Sequence, residues 1–360
     1  MFHIAFCINN KFTMPCGVFI LSILHYNKFP LCFHVLHRDL TEENIDKLKQ
    51  TVSSYSNAQI EFHKVDSSYD SKLIVREGER LSVETYYRFF IPELLPQVDK
   101  VLYLDCDMLC CNDFSDIFNI DIENIPEAMV IDEKTKEISK YNRLDLDFSN
   151  DYFNAGVMYI NLDYWRKNNE TEKLLSFVTK NPELCVCHDQ DAVNKLHEGK
   201  IQYMPLKYNC QRAFFRYYFW VNPKKYPVSL YTTDTIEKKR WPQVKDAIEN
   251  PTFVHFSGCD KPWFKESTIP YLTQWLEFHD ISVWQNEKFK SRFESNKKLL
   301  FKIHLKKVLS IFKLAKPFKT NDVYPEEAYI NTPPHSYTNK WIISNYINAA
   351  YSKTNKELAA

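Results

Sequence analysis

The chain has 360 residues, of which 44% are hydrophobic and 26% are charged, and its formal net charge is zero. These values are close to the average of globular proteins, and they fit one large α/β domain with appendages or two domains. Gly is scarce, with five residues, and neither GxGxxG nor GxxxxGK[ST] occurs, which excludes the two commonest Gly-rich nucleotide-binding motifs.

Strand and helix patterns alternate at the start of the chain. Short apolar runs predict buried strands at 3–8, 32–37 and 59–65. Helical patterns lie between them, at 14–27 and from Thr41 onward, where Thr41 is a suitable N-cap. This alternation predicts a mostly parallel sheet with helices on its faces.

The middle of the chain continues with mixed elements. The expected order is a helix at 85–95, strands at 101–104, 128–131 and 156–161, helices from 162 and at 189–196, a strand at 253–256, and a helix at 271–279. The globular body is expected to end near residue 280, because the composition changes after it.

Residues 285–319 contain eleven Lys and Arg residues against two Glu residues, a net charge of +9, so the rest of the chain carries −9. Lys302, Lys306 and Lys313 fall near one helical face among apolar residues, which predicts a basic amphipathic helix. It is either a last core helix with a lysine-rich solvent face or a helix that lies on an anionic membrane surface. The predicted domains are a globular domain over 1–280, a basic helical segment over 281–319, and an extension of unknown structure over 320–360.

Ten cysteines occur without a CxxC motif. We interpret them as free thiols of a reducing compartment, although Cys185, Cys187 and His188 would also fit a fragment of a zinc site. The N-terminus has neither a basic n-region nor an apolar h-region, and no uncharged apolar run reaches about 18 residues. The expected location is therefore cytoplasmic, with attachment to a membrane surface through the basic segment.

Two carboxylates follow the apolar run at 101–104. Asp105 and Asp107 stand at the end of a buried strand, and ligands of open α/β sheets bind beyond the carboxyl ends of the strands. Carboxylate oxygens suit Mg²⁺ and Mn²⁺. The pair predicts a cation site, with an ordinary turn as the alternative.

A histidine, a glycine and a lysine come together at the late strand. His255 ends the strand, Gly258 lets the backbone approach a phosphate, and Lys261 supplies a positive charge for one. An imidazole beside two carboxylates favours Mn²⁺ over Mg²⁺. The alternative is that His255 is a hydrogen-bonded core residue.

Two polar segments lie between these sites. Asn154, two residues before Gly156, offers both a donor and an acceptor for sugar hydroxyls. The segment His-Asp-Gln-Asp at 188–191 stands at the start of a predicted helix, where helix capping by Asp189 is the alternative to a role in binding.

Four segments together resemble the retaining glycosyltransferases of family 8, which include bacterial lipopolysaccharide galactosyl- and glucosyltransferases and are related to glycogenin. They are YYRFFIPELLPQVDKVLYLDCDMLC (86–110), YFNAGVMYINLDYWRK (152–167), HDQDAVN (188–194) and HFSGCDKPW (255–263), in the family's order and at its spacing. The resemblance covers roughly residues 1–280. It implies a GT-A fold, a Rossmann-like α/β domain with a mixed central sheet and helices on both faces, followed here by the basic helical extension.

The resemblance also implies roles for particular residues. The metal ion, Mn²⁺ or Mg²⁺, would be held by Asp105, Asp107 and His255. The residues that would bind the donor are Cys7, Asn9, Asn10, Phe12, Arg88, Asp105, Cys106, Gly258 and Lys261. The residues that would lie at the reacting centre are Asp132, Asn154, Asp189 and Gln190.

Within these sets each part of the donor has its own residues. The loop 7–12 would hold uridine, and the chain departs from many relatives there, because Asn9 and Asn10 stand where acidic residues are common. The diphosphate would contact Gly258 and Lys261, and the sugar hydroxyls would contact Arg88 and Asp189. Beside the anomeric carbon lie Asn154 and Gln190, with Asp132 at the boundary to the acceptor.

The implied activity is transfer of galactose or glucose from a UDP-sugar, with retention of configuration, to lipopolysaccharide, lipooligosaccharide or another cell-surface glycan at the inner face of the bacterial cytoplasmic membrane. We expect same-face attack on the sugar, and no nucleic acid partner. Three alternatives stay open: a haloacid-dehalogenase-type phosphohydrolase with Asp105 as nucleophile, a non-catalytic protein that binds UDP-sugars, and a self-glycosylating primer.

Overall fold

The computed structural model describes residues 1–66, 73, 82–216, 236–267, 269–294, 297–312 and 314. The chain divides into two compact units: the first unit is Met1–Cys210 with Asp234–His255, and the second unit is Gln211–Thr233 with Phe256–Ala360.

A mixed sheet forms the centre of the first unit. The strands found in the described residues are β1 (Phe2–Cys7), β2 (Leu31–His37), β3 (Ala58–Lys64), β4 (Lys100–Leu104), β5 (Met108–Cys110), β6 (Glu127–Ile131), β7 (Phe153–Asn161), β8 (Gln202–Tyr203), β9 (Cys210–Gln211) and β10 (Phe253–His255). Among the described residues, seven of them form the central sheet in the order β3-β2-β1-β4-β7-β6-β8. The first four strands pair in parallel, whereas β7 runs antiparallel to β4 and β6. The predicted mixed sheet is thereby confirmed.

Helices follow most of the strands. The α-helices in the described residues are α1 (Thr13–Tyr26), α2 (Glu42–Ser53), α3 (Ile91–Leu94), α4 (Ile138–Leu144), α5 (Leu162–Lys167), α6 (Glu170–Lys180), α7 (Asp189–Leu196), α8 (Trp241–Glu249), α9 (Leu272–Asp280) and α10 (Lys297–Ile311). The predicted cap of α2 is confirmed, since the Thr41 hydroxyl accepts a hydrogen bond from the Asn44 N–H.

The central strands are covered on both faces. On one face Phe6 of β1 packs edge-on against Phe19 of α1, with ring centroids 5.9 Å apart. On the other face the guanidinium of Arg88 lies 4.2 Å from the ring centre of Tyr103 in β4. Every residue of β2 is buried, as expected for an interior strand of a largely parallel sheet.

The segment 85–95, which was expected to be one helix, consists of two short helices of different type. The chain forms a 3₁₀ helix over Val83–Phe90 and a separate α-helical turn over Ile91–Leu94. Pro92 lies in the first turn of α3, where its missing N–H is tolerated, but it would break the hydrogen-bond ladder of one continuous helix. The prediction of a single α-helix was therefore wrong, while the position of this segment was right.

The second unit has its own aromatic cluster. Trp275 of α9 packs against Trp263, His279 and Phe289, with ring centroids 5.6–5.9 Å apart. Nearby, the buried side chains of Arg292 and Asp260 form an ion pair of 3.7 Å.

The predicted basic helix is present as α10, over Lys297–Ile311. Lys313, residues 315–319 and the extension predicted at 320–360 lie outside the described residues, and the predicted domain boundaries stay predictions. Within the described part of the chain, no helix has both the length and the apolar character needed to cross a membrane.

Candidate active site

Strand pairing brings three distant segments to one place. Asp105 follows β4, and its N–H donates to the carbonyl of Gly156 in β7 at 2.8 Å. In a separate antiparallel pair, β10 places His255 opposite Met108 of β5, one residue after Asp107. The two carboxylates and the imidazole thus lie together because of the registers of two antiparallel strand pairs, β4 with β7 and β5 with β10.

These three side chains form a compact cluster. The Nε2 atom of His255 lies 3.3 Å from Oδ1 of Asp107 and 3.9 Å from Oδ2 of Asp105. One ligand atom from each residue lies within 4.8 Å of the other two. His255 is buried, while the side chains of Asp105 and Asp107 are 28% and 16% exposed, so a cation could reach the carboxylates from solvent. The metal-binding role of the three residues stays a prediction.

The orientation of His255 is fixed by an amide that the sequence did not reveal. Asn209 donates through Nδ2 to Oδ1 of Asn154 at 2.8 Å, and that same oxygen accepts the N–H of Gly156. The carboxamide oxygen of Asn209 therefore faces Nδ1 of His255, at 2.9 Å, and accepts its proton. This hydrogen bond orients the ring so that Nε2 faces the two aspartates, as in many metal-binding histidines.

Gly156 provides the space in which the cluster forms. A Cβ atom at this position would lie 2.6 Å from Cε1 of His255, 2.9 Å from Oδ1 of Asn154 and 3.0 Å from Oδ2 of Asp105. A side chain here would displace at least one of these groups, so the glycine is needed for close packing rather than for an unusual backbone conformation.

A buried arginine connects the aspartate cluster to the second polar segment. The Nη2 atom of Arg88 lies 3.1 Å from Oδ1 of Asp105, which also accepts the hydroxyl of Tyr103 at 2.7 Å. The Nε atom of Arg88 lies 3.1 Å from Oδ2 of Asp189. Oδ1 of Asp105 is thus held by two donors, while Oδ2 faces His255.

Asp189 has a role other than helix capping. Its Oδ1 accepts the hydroxyl of Thr85 at 2.6 Å, and the N-cap of α7 is His188, whose side chain makes no capping hydrogen bond. The capping interpretation of Asp189 is therefore wrong. His188 has φ 53° and ψ −124°, a sparsely populated backbone region for a residue other than glycine, and such residues are often found at functional sites.

A network of amides surrounds the position of Gln190. Its Oε1 accepts the backbone N–H of Ala155 at 3.0 Å and Nδ2 of Asn154 at 3.1 Å. Its Nε2 donates to Oδ2 of Asp132 at 3.3 Å and to the hydroxyl of Tyr152 at 3.2 Å. The N–H of Ala155 can only donate and the carboxylate of Asp132 can only accept, so these two partners assign the oxygen and the nitrogen of the Gln190 amide.

The pKa values of the two buried acids Asp132 and Asp189 are shifted in opposite directions. Burial acts to raise the pKa of Asp132, but Lys140, 3.1 Å from its Oδ1, and hydrogen bonds from Asn154 and Lys134 hold that pKa below its usual value. Burial raises the pKa of Asp189, and Arg88 and Thr85 counteract this only in part. Asp132 is thus the more strongly ionised of the pair.

The N-terminal loop lines a cleft next to the cluster. Its lining residues are Cys7, Ile8, Asn9, Phe12, Ser82, Glu84, Thr85, Arg88, Tyr103, Asp105, Cys106 and Asp107. Asn10 is not among them, because its side chain bonds to the Asp39 carbonyl, the Thr41 N–H and the Asn44 amide. Burial raises the pKa of Cys7 well above its usual value, so this thiol stays protonated at neutral pH.

Gly258 and Lys261 belong to the second unit. Gly258 has φ 87°, a conformation that favours glycine, and a Cβ there would lie 3.2 Å from the guanidinium carbon of Arg212. The ammonium of Lys261 donates to the Phe256 carbonyl at 2.6 Å. Their expected contact with a diphosphate stays a prediction.

Sequence reasoning missed the residues that position the site. Asn209, Thr85 and Lys140 lie outside the four recognised segments, and Tyr103 lies within one of them without an assigned role. The one available signal was position: Tyr103 precedes Asp105 by two residues on the same strand face, and Thr85 precedes Arg88 by one helical turn. The segment Cys185–His188 is not among the candidate metal-binding groups of the described residues, and both its cysteines are free thiols.

Comparison with known proteins yields consistent matches. The family model "Glycosyl transferase family 8" matches residues 3–267. The chain is 26% identical to general stress protein A of Bacillus subtilis (strain 168) over 288 residues, 78% of this chain and 94% of that protein. It is 28% identical to the lipopolysaccharide 1,2-glucosyltransferase of Escherichia coli over 320 residues, 86% of this chain and 87% of that protein.

A solved structure shares the fold. The galactosyltransferase LgtC, in complex with donor and acceptor sugar analogs, superposes with a TM-score of 0.65 at 22% sequence identity, covering 78% of this chain and 96% of LgtC. The expected GT-A architecture is thereby confirmed.

Proposed function

This chain belongs to glycosyltransferase family 8, and we propose that it transfers a hexose, galactose or glucose, from a UDP-sugar to a saccharide acceptor with retention of configuration. The observation that carries this proposal is the convergence of Asp105, Asp107 and His255 beside the hydrogen-bonded Gln190. The relative named as a lipopolysaccharide glucosyltransferase supports a cell-surface glycan as the acceptor.

The donor atoms of the cluster fit a divalent cation. Two carboxylates and a neutral imidazole nitrogen suit Mn²⁺, and Mg²⁺ is accepted less readily because nitrogen is a poorer ligand for it. The lone pair of His255 Nε2 is already directed at Asp107 at 3.3 Å, since Nδ1 is bonded to Asn209. Such a cation supplies positive charge that stabilises the departing diphosphate.

The cleft at the N-terminal loop has the groups that a uridine needs. Asn9 and Phe12 line it and offer an amide and an aromatic ring, and Cys106 lies between the two aspartates. The nucleoside would lie in this cleft, with its diphosphate toward Asp105 and Asp107. Asn10 contributes to uridine binding by holding the loop rather than by direct contact.

The sugar would lie between the aspartates and Gln190. Arg88 joins Asp105 to Asp189 and keeps the polar wall of this space rigid. As the glycosyl–phosphate bond breaks, the sugar gains oxocarbenium-like positive charge. The ionised carboxylate of Asp132, held by Lys140, would stabilise that charge and face the acceptor.

The hydrogen bonds of Gln190 support same-face attack. Its Oε1 already accepts two hydrogen bonds, from Ala155 and Asn154, and an amide oxygen in that state is a poor nucleophile. The acceptor hydroxyl would then attack from the side of the departing phosphate and lose its proton to it. In this scheme Gln190 and Asn154 orient the sugar rather than form a bond to it.

The first test is release of UDP without an acceptor. We would incubate the protein and Mn²⁺ with UDP-glucose, UDP-galactose or GDP-mannose in three separate reactions. The Asp105→Ala/Asp107→Ala variant is treated in the same way as the control. Slow release from one UDP-hexose, absent in the variant, supports the proposal and names the donor. Absence of release with Mn²⁺-dependent UDP binding retained would favour a non-catalytic protein that binds UDP-sugars, and absence of both would overturn the enzyme proposal.

Within the part of the chain that the structure describes, the two tyrosines that hydrogen-bond to site residues do not support the self-glycosylating alternative. Tyr103 and Tyr152, which hydrogen-bond to site residues, are 2% and 0% exposed, so neither hydroxyl is free to act as an acceptor. Intact-mass measurement after incubation with the donor decides the question, because a primer would gain hexose units.

Helix α10 supports a place at a membrane surface. Phe301, Leu305, Val308 and Ile311 are 67%, 46%, 50% and 76% exposed, whereas Ile303 is buried, so α10 packs against the protein on one side and leaves apolar side chains in solvent on the other. We expect the helix to bind the anionic inner leaflet, where each basic residue contributes about 1 kcal/mol.

Vesicle sedimentation tests this attachment. Phosphatidylglycerol vesicles should sediment the protein and phosphatidylcholine vesicles should not. The Phe301→Ser/Ile311→Ser variant should lose the binding, whereas Ile138→Ser, at an apolar residue of α4 that is 66% exposed, should keep it. Equal binding of both vesicle types would contradict the electrostatic contribution.

A further inference from the structure

A second group of metal-ligand side chains lies on the first three strands, and we name it the histidine cluster. It consists of His3 on β1, Cys32 and His34 on β2, and Glu61 and His63 on β3. The parallel register pairs His3 with Cys32 and His34 with Glu61. Paired residues of parallel strands point to the same face, so the sheet itself brings these side chains together.

Three of these residues have the spacing of ligands around one ion. Nδ1 of His34 lies 3.0 Å from Nε2 of His63 and 3.4 Å from Oε2 of Glu61. The distance between Nε2 of His63 and Oε2 of Glu61 is 3.7 Å. Ligands bound to tetrahedral zinc at about 2.0–2.1 Å are about 3.3–3.4 Å from one another. The three measured separations therefore match one face of such a tetrahedron within a few tenths of an ångström.

His3 holds the central histidine in the orientation that such a site requires. Its Nδ1 lies 2.8 Å from Nε2 of His34, and the two rings are stacked with centroids 5.1 Å apart. A metal-binding histidine commonly donates its second N–H to a neighbouring acceptor. With His3 as that acceptor, the Nδ1 lone pair of His34 is directed at Glu61 and His63.

The cluster is distinct from the active site in place and in chemistry. His3 precedes Cys7, which lines the donor cleft, by four strand residues, or about 13 Å along β1. The active-site trio has two carboxylates and one imidazole, whereas this group has two imidazoles and one carboxylate. Imidazole nitrogen favours zinc over magnesium or manganese.

A cation has a route into the cluster. The side chain of Glu61 is 52% exposed and that of His63 is 18% exposed, while that of His34 is 3% exposed. Two ligands thus face solvent and the third is fixed in the protein. A fourth position remains for water, as in zinc sites with three protein ligands.

We propose that His34, Glu61 and His63 form a zinc site, with His3 as a positioning residue for His34 and with water as the fourth ligand. Such an ion would connect β2 to the edge strand β3, whose residues are otherwise half-exposed or exposed. Cys32 forms a separate candidate group with His3 and His34 and is outside the proposed set.

Calorimetric titration of the full-length protein with Zn²⁺ tests this site. The protein is first stripped of metal by a chelator, and the Asp105→Ala/Asp107→Ala background removes binding at the active site. We expect one zinc ion per chain. Glu61→Gln and His63→Gln should each weaken the affinity by at least about tenfold. His25→Gln, at an exposed histidine at the end of α1, should leave it within about twofold.

Other outcomes would overturn the assignment. These are no zinc binding in the double-aspartate background, unchanged affinity in both Glu61→Gln and His63→Gln, or loss of binding in Cys32→Ser but not in His63→Gln. Because Glu61 and His63 are partly exposed, their variants should fold normally, and circular dichroism of the zinc-free proteins checks this. Substitution of zinc by Co²⁺ gives a visible spectrum that reports tetrahedral geometry.

Discussion

His255 and His197 each lie next to two carboxylates, but the two histidines differ in what their second nitrogen contacts. In the core, Nδ1 of His197 lies 2.8 Å from Glu127 and Nε2 lies 3.1 Å from Glu170. At the active site, Nδ1 of His255 bonds to the neutral amide of Asn209, and Nε2 faces the aspartates.

This difference determines the charge and the use of each ring. Burial acts against a charge on His197, but Glu127 and Glu170 outweigh it and raise its pKa to about 9. His197 is therefore a protonated, fully bonded structural group with no lone pair to offer. At His255 an amide stands in place of one carboxylate, and Nε2 faces the partly exposed Asp105 and Asp107, beside which a cation could bind.

The largest expected effect is the loss of a carboxylate from the active-site cluster. Asp107→Ala should lower kcat on the order of 10³-fold, because a preorganised charge at the departing diphosphate is lost. Gln190→Ala should keep a residual rate, lowered about 10²-fold, since the amide orients and does not react. Asp46→Ala, at an exposed residue of α2, serves as the control. Equal losses in the two site variants would argue against same-face attack.

Filling the space beside His255 should have the next largest effect. The added methyl group of Gly156→Ala would press on His255 and Asp105 and separate the ligand atoms. We expect Mn²⁺-dependent UDP binding to weaken at least about tenfold, as when the support of a metal ligand is lost. Unchanged binding in a variant with a normal unfolding temperature would show that the cluster tolerates the shift.

Removal of the amide acceptor tests the comparison directly. Asn209→Ala leaves Nδ1 of His255 without its acceptor, so the ring can turn, and we expect metal affinity and kcat to fall by about 10-fold to 100-fold. Asn250→Ala, at an exposed residue after α8, should change neither quantity. If Asn209→Ala also leaves both unchanged, the carboxylates alone orient His255.

The core histidine should affect stability rather than activity. The pKa of His197 is about 9 in the folded protein, above the usual value of 6.5, so its contribution is complete below pH 6.5 and is lost as pH rises through 9. The loss is on the order of 3 kcal/mol. Urea unfolding at pH 6.5 and 9.5 measures it, and His197→Gln should show a smaller difference between the two pH values than His304→Gln. An identical pH difference in both variants would count against a protonated His197.

Much of the fold followed from local pattern. The strands at the start of the chain were predicted within about one residue, because apolar runs bounded by polar turns are a local signal. The segment at 85–95 was misassigned, since five consecutive buried residues, 86–90, hide the period that separates an α-helix from a 3₁₀ helix. The same limit applies to β7, which begins at Phe153 although its pattern was recognised only from Gly156.

The sequence by itself determined the family and the type of sheet, and it predicted a cation site, because Asp105, Asp107 and His255 stand next to strands in recognisable motifs. Only the tertiary structure decided that Asn209 orients His255, that Asp189 accepts a hydrogen bond from Thr85 and forms an ion pair with Arg88 instead of capping its helix, and that histidines from three strands meet. These contacts join residues that are far apart in the chain, and a side chain's partners across a sheet depend on strand order and register, which no local pattern encodes.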